Sequence, residues 1–129
     1  MSRIEGLVSL WVGMAENLDV LEEYLTFYFT EDGDAIHPKF VKDFDTAKFD
    51  EDLREAEVIH PPTKLIREAL RGFSYDDVVV PRFVQLVGET FDTTVDAVVL
   101  LYDFNYDGHI PSVSTPDVKL KFIGVVSYQ

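Results

Sequence analysis

The sequence predicts an α+β domain in which a three- or four-stranded antiparallel or mixed sheet packs against three or more helices. Three observations carry this reading. Residues 95–104 are apolar at both alternate sets of positions and rich in β-branched and aromatic side chains, which suits a strand covered on both faces. Residues 118–127 open with clean alternation, Val118, Leu120 and Phe122 against Lys119 and Lys121, so the first half of this strand meets water on one side. Residues 6–13 form a third strand by length, β-forming composition and bounding glycines, with helical segments between it and the other two that must cover the sheet.

Along the chain, residues 6–13 place Val8, Leu10 and Val12 on one face and Leu7, Ser9 and Trp11 on the other. Trp11, among apolar neighbours, reads as core rather than as an exposed anchor. Asn17 is a helix N-cap, and Leu18, Leu21, Leu25 and Tyr28, joined by Tyr24, make an apolar stripe at helical spacing, so the spacing predicts a helix over 18–28. Asp19, Glu22 and Glu23 fall off that stripe, mostly in the early turns where the helix dipole favours anions. Glu31-Asp32-Gly33-Asp34 is an acidic turn. Pro38 opens a short helical stretch in which Phe40 and Phe44 stand one turn apart and tether a polar segment to the core. Residues 46–57 show neither period cleanly, with 54–59 as a candidate edge strand. Pro61-Pro62-Thr63 starts a helix over 62–71 whose apolar face is Leu65, Ile66, Ala69 and Leu70, with Gly72 as its stop. Ser74 with Asp77 resembles a helix start, and Pro81 heads a helix over 81–88 carrying Phe83, Val84 and Val87 and ending at Gly88. After the strand at 95–104, Asn105-Tyr106-Asp107-Gly108 supplies turn chemistry, and Pro111 and Pro116 keep the connection from extending either strand.

At 129 residues without a linker or a shift in composition, the chain reads as one domain, residues 1–129. Hydrophobic residues make up 47% of it and aromatics 13%, enough to build a core despite a formal charge of -13. The absence of cysteine excludes disulfides, thiolate metal sites and a cysteine nucleophile. With no basic-then-apolar leader and no apolar run near the ~20 residues of a membrane helix, the expectation is a cytoplasmic protein. The acidity is uneven: between positions 31 and 57 ten acids face four bases, a net of -6 over 27 residues. Such a surface repels nucleic acid and attracts basic protein, or serves only as a solvated face.

Motifs for chemistry are sparse. Asp103 to Ile110 has the front half of a calcium loop, with oxygen donors at alternate positions and Gly108 at the sixth. The back half fails, since Ser114 stands where a bidentate glutamate belongs and the flanks read as strand. His37, His60 and His109 show no ligand spacing, and no metal or cofactor is expected. Asp50, Glu51 and Asp52 are consecutive and so do not face one another as a general acid and base would. No Gly-x-Ser-x-Gly elbow or phosphate-binding glycine loop occurs.

The chain resembles the bacterial immunity protein 22 family, small α+β domains, nearly end to end. The resemblance is carried by Val8-Ser9-Leu10-Trp11-Val12-Gly13, Glu23-Tyr24-Leu25 with Glu31-Asp32-Gly33-Asp34, and residues 40–44 with Phe49-Asp50-Glu51-Asp52-Leu53-Arg54-Glu55. Gly72-Phe73-Ser74-Tyr75, residues 100–108 and Phe122-Ile123-Gly124 continue it. It implies a non-enzymatic immunity protein that binds and neutralises a cognate toxin domain of a polymorphic or contact-dependent toxin system. The acidic segment adds that this toxin is basic, with a nuclease as the type whose phosphate-binding cleft such charge would occlude; neither nucleic acid nor membrane is expected as a partner. The expected contact residues are Asp43, Asp45, Asp50, Glu51, Asp52 and Glu55, with Phe49 as either apolar anchor or core tether. The competing classes are a small enzyme with a dispersed carboxylate and histidine site, and a non-catalytic regulatory subunit. A deep pocket of convergent polar groups would favour the enzyme.

Overall fold

Side chains at alternating positions of the first apolar run bury in opposite directions, and this decides the architecture. The computed structural model describes residues 5–129; the first four residues of the expected domain lie outside that range. In chain order the elements are β1 (Leu7–Ala15), α1 (Leu18–Tyr24), β2 (Tyr28–Phe29), β3 (Ala35–Ile36) and α2 (Lys39–Asp43). A 3-10 turn (Glu51–Leu53) precedes β4 (Arg54–Leu65), α3 (Ile66–Ala69), α4 (Asp76–Val87), β5 (Thr90–Tyr102), β6 (Ser112–Ser114) and β7 (Val118–Ser127). The main sheet has the order β4-β5-β1-β7-β6, with β1 in the middle and every neighbouring pair antiparallel.

Trp11 enters one face, where Leu21, Tyr24 and Leu25 of the α1 region and Phe40, Val41 and Phe44 around α2 close over it with Val99, Leu101 and Leu120. Val8, Leu10 and Val12 enter the other, under Ile66, Ala69 and Leu70 around α3 and Val79 and Phe83 of α4. The sheet is therefore covered by helices on both faces, which is why residues 95–102 of β5 are buried without a break. Buried Ser9, on the Trp11 face, donates to the Phe104 carbonyl at 2.7 Å and accepts from Tyr106 N–H at 3.2 Å. It ties the turn after β5 back to β1. The β1–β5 ladder ends at Gly13 opposite Ala97, and beyond it the buried Asp96 carboxylate accepts the Ala15 N–H at 3.0 Å. A side chain there supplies the acceptor that the ladder no longer does.

Several expectations are corrected. The sheet has five strands, not three or four, and it is wholly antiparallel; strand takes 41% of the described residues against 25% helix. The extra extent comes from β4, which runs through Pro61 and Pro62 where a helix over 62–71 was expected, leaving α3 only four residues. Proline removes a ladder donor and is tolerated on an edge strand where pairing is interrupted, as it is between Val58 and Thr63. The connection between Pro111 and Pro116 holds β6, a three-residue edge strand, instead of remaining irregular. The helix expected over 18–28 stops at Tyr24. Its last carbonyls are taken early: Leu25 N–H and the Thr26 hydroxyl donate to Glu22 O, and Thr26 N–H to Glu23 O, which releases Tyr28 into β2. Asn17 caps the start as expected, accepting Val20 N–H at 2.9 Å. The helix expected over 81–88 begins five residues earlier and carries Pro81 inside it, ending as expected at Gly88. Gly13 does not bound its strand, which continues to Ala15.

Candidate functional surface

The segment expected to make contact, residues 43–55, is pinned at both ends and exposed in the middle. Asp43 closes α2 and accepts from the Tyr24 hydroxyl and from Lys39 Nζ, both at 2.9 Å. Burial, followed by the bond to Asp43, pushes the Tyr24 hydroxyl well up, so it remains a proton donor joining α1 to α2. The Phe44 carbonyl accepts the Tyr106 hydroxyl at 2.7 Å. Phe49 is 7% exposed and packs edge-on against Phe27 and Phe40, so its ring acts as the core tether. Directly after it, Asp50 caps the 3-10 turn by accepting Asp52 N–H at 2.9 Å, and Asp50, Glu51 and Asp52 are all exposed.

At the far end the chain enters β4, and strand alternation separates Glu55 from the rest. Ala56 and Val58 pack on the Trp11 face. Glu55, opposite Leu100, points to the other face and accepts the Tyr102 hydroxyl at 2.5 Å and Ser74 N–H at 3.0 Å. Burial and the bond to Glu55 push the Tyr102 hydroxyl well up, and the pair fastens the loop before α4 to the edge of the sheet. The structure thus brings Asp50, Glu51 and Asp52 together on one exposed turn. It gives Asp43, Phe49 and Glu55 structural contacts.

Asp45 has a different neighbour. It sits in a left-handed backbone conformation, φ 48°, with its carboxylate 3.3 Å from His109 Nε2, while His109 Nδ1 contacts the Asp107 carboxylate closely. The hydrogen bond to Asp107, and secondarily that to Asp45, raises the His109 pKa above the ordinary histidine value; the bonds to His109 lower that of Asp107. The raised histidine contributes fully below its unfolded-state pKa and loses that contribution as pH rises through its folded value. The depressed carboxylate contributes above its unfolded value and loses it as pH falls through its folded value. The clasp between the 45 and 107 loops is therefore closed between the lowered Asp107 pKa and the raised His109 pKa. The expected result in an NMR titration is a His109 imidazole midpoint above about 6.5, reduced by Asp107→Asn more than by Asp45→Asn. A midpoint unmoved by either substitution would mean that the clasp does not form. In the calcium-like segment, Asp103 accepts both Gly6 N–H at 2.8 Å and the Tyr128 hydroxyl on one oxygen, and Asp107 is engaged by His109 at the surface. Among the described residues no group of three or more His, Cys, Asp or Glu converges as a metal site.

Opposite the Asp50–Asp52 turn the structure places what the sequence reading missed, the β2–β3 ribbon. Tyr28 pairs with Ile36 and Phe29 with Ala35, and the Glu31-Asp32-Gly33-Asp34 turn forms the tip. Phe29 and Ala35 share a shallow cavity of about 350 Å³ with Phe27, Phe49, Lys48 and residues 50–52. A signal was present: Phe27-Tyr28-Phe29-Thr30 is a β-forming run directly before a glycine turn. The helical spacing of Tyr28 masked it.

The surface so assembled is an exposed acidic turn beside an aromatic ribbon that stands apart from the main sheet, and the domain is of the immunity-protein class. The chain belongs to the Immunity protein 22 family, whose sequence profile matches residues 8–129. Membership supports an immunity function and implies a toxin as partner in general. No curated protein and no solved structure matches the chain. Among the described residues no helix is long and apolar enough to cross a membrane.

Proposed function

We propose that this protein neutralises its cognate toxin by binding alone, laying the acidic turn of Asp50, Glu51 and Asp52 into a basic cleft of the toxin, of the kind a nuclease uses for phosphate. One observation carries the reading: three consecutive exposed acids stand on a turn that is itself held rigid, by the Asp50 cap above and the buried Phe49 ring below. A rigid charged turn can meet a complementary surface without losing conformational freedom on binding. Asp45 extends the negative field along the same segment, while Asp43, paired with Lys39, anchors its start. Glu55, directed to the other face of the sheet, supports the proposal only by fixing the end of the segment.

The test replaces Asp50, Glu51 and Asp52 together by Asn, Gln and Asn and measures binding to the purified cognate toxin domain. Asn retains the capping oxygen at position 50, so folding stability should stay within about 0.5 kcal/mol of the parent. Association at low salt should slow by roughly tenfold, and the two proteins should converge at high salt, where charges beyond a Debye length no longer act. Equal association rates and equal salt dependence in the folded variant would remove the acidic turn from the interface.

A further inference from the structure

We infer that the β2–β3 ribbon is the apolar anchor of the complex, with the Phe29 ring inserting into a pocket rimmed by Lys or Arg side chains of the basic toxin. This rests on the reading above and identifies which residue holds the partner once charge has brought it in. Phe29 is 68% exposed on the ribbon face it shares with Ala35, while Tyr28 and Ile36, paired with each other, project from the opposite face. Single exposed apolar residues are ordinary; Phe29 is set apart because it lines the cavity shared with Phe27, Phe49 and the three acids of residues 50–52.

The ribbon is also held in shape before any partner arrives. Thr30 N–H donates to Asp34 O at 2.8 Å, Gly33 N–H to Thr30 O at 2.9 Å and Asp34 N–H to the Thr30 hydroxyl at 3.1 Å. Gly33 takes φ 86°, a conformation that favours glycine. At the base, Phe27 packs edge-on against Phe49 at 5.2 Å and against His37 at 6.2 Å. An aromatic with two side-chain torsions on a fixed turn loses little freedom when it docks, the property shared by aromatic hot spots.

The surroundings select the occupant. Glu31, Asp32 and Asp34 at the tip and Asp50, Glu51 and Asp52 across the shared cavity are exposed, and Lys48 is the one base among the residues lining that cavity. This charge opposes an anionic lipid surface, a nucleic acid and a second copy of the same face. It suits a basic protein, whose arginines can stack on Phe29 while pairing with the acids around it.

Binding of the purified cognate toxin domain is measured for the parent, Phe29→Ala, Phe29→Tyr, and Val87→Ala as a control at an exposed apolar position on α4. Phe29→Ala should weaken affinity by roughly 30-fold, mainly through faster dissociation, with the urea midpoint and the salt dependence of association unchanged. Phe29→Tyr and Val87→Ala should bind like the parent. Affinity of Phe29→Ala within twofold of the parent overturns the anchor while leaving the acidic turn standing. A parent that does not bind the toxin domain overturns both readings.

Discussion

Gly13→Ala is expected to abolish stable folding. A Cβ built at this position would lie 1.7 Å from the Lys119 carbonyl oxygen and 2.6 Å from its carbon, and both are backbone atoms of β7, not the end of a flexible side chain. Relief by sliding β1 away is blocked, because Gly13 pairs with Ala97 of β5 on one side and with Leu120 of β7 on the other. The two ladders flanking the middle strand would have to part. Ordinary overpacking costs about 1–3 kcal/mol, and separating backbone in the middle of the sheet should exceed that, against a total stability of about 5–15 kcal/mol for a typical domain. Urea unfolding followed by far-UV circular dichroism reads the result. A Gly13→Ala protein with a parental midpoint would mean that the strands stand farther apart there than the structure has them.

Trp11→Ala is expected to lose about 3–5 kcal/mol, the cost of emptying a large aromatic site in a close-packed core. Trp11 is fully buried, and its ring meets Phe40 at 4.9 Å, Phe122 at 5.2 Å, Tyr106 at 5.5 Å, Phe44 at 6.0 Å and Phe104 at 6.5 Å. These rings come from α2, from the turn after β5 and from β7, so the cavity would loosen the elements that hold residues 43–55 in place. Trp11→Phe should cost much less. Among the described residues the indole Nε1 is buried without a hydrogen-bond partner, and removing an unpaired buried donor recovers part of the packing lost. Denaturant midpoints for the two variants check the order; equal losses would show that the indole N–H is satisfied after all.

Much of the interior was legible before folding was considered. The alternation that put Val8, Leu10 and Val12 opposite Trp11, the burial of Phe40 and Phe44, the Asn17 cap and the strand at 118–127 all follow from period and local hydrogen bonding within a few residues. The proposed contact surface is legible in the sequence only as composition. Ten acids lie between positions 31 and 57, yet Glu55 and Asp52, three residues apart, end on different sides of the sheet because β4 begins between them. Phe49 and Phe29 are both aromatics beside acids; one is core and the other projects, and nothing in their neighbours distinguishes them.

What the sequence by itself determined is therefore the direction each apolar side chain takes within its own element, since a period of 2 or 3.6 is a local property of the backbone. Tertiary structure alone decided which polar stretches became strands and which aromatic stayed outside. Residues 54–59 read as an edge strand from sequence and are one, but Pro61 and Pro62 argue against its continuation; β4 runs on to Leu65 because the edge of β5 offers hydrogen-bonding groups as far as Thr90. Phe29 remains in water because Phe27, Phe40 and Phe49 fill the space beneath α1 and α2, and a close-packed core has no room for a further ring.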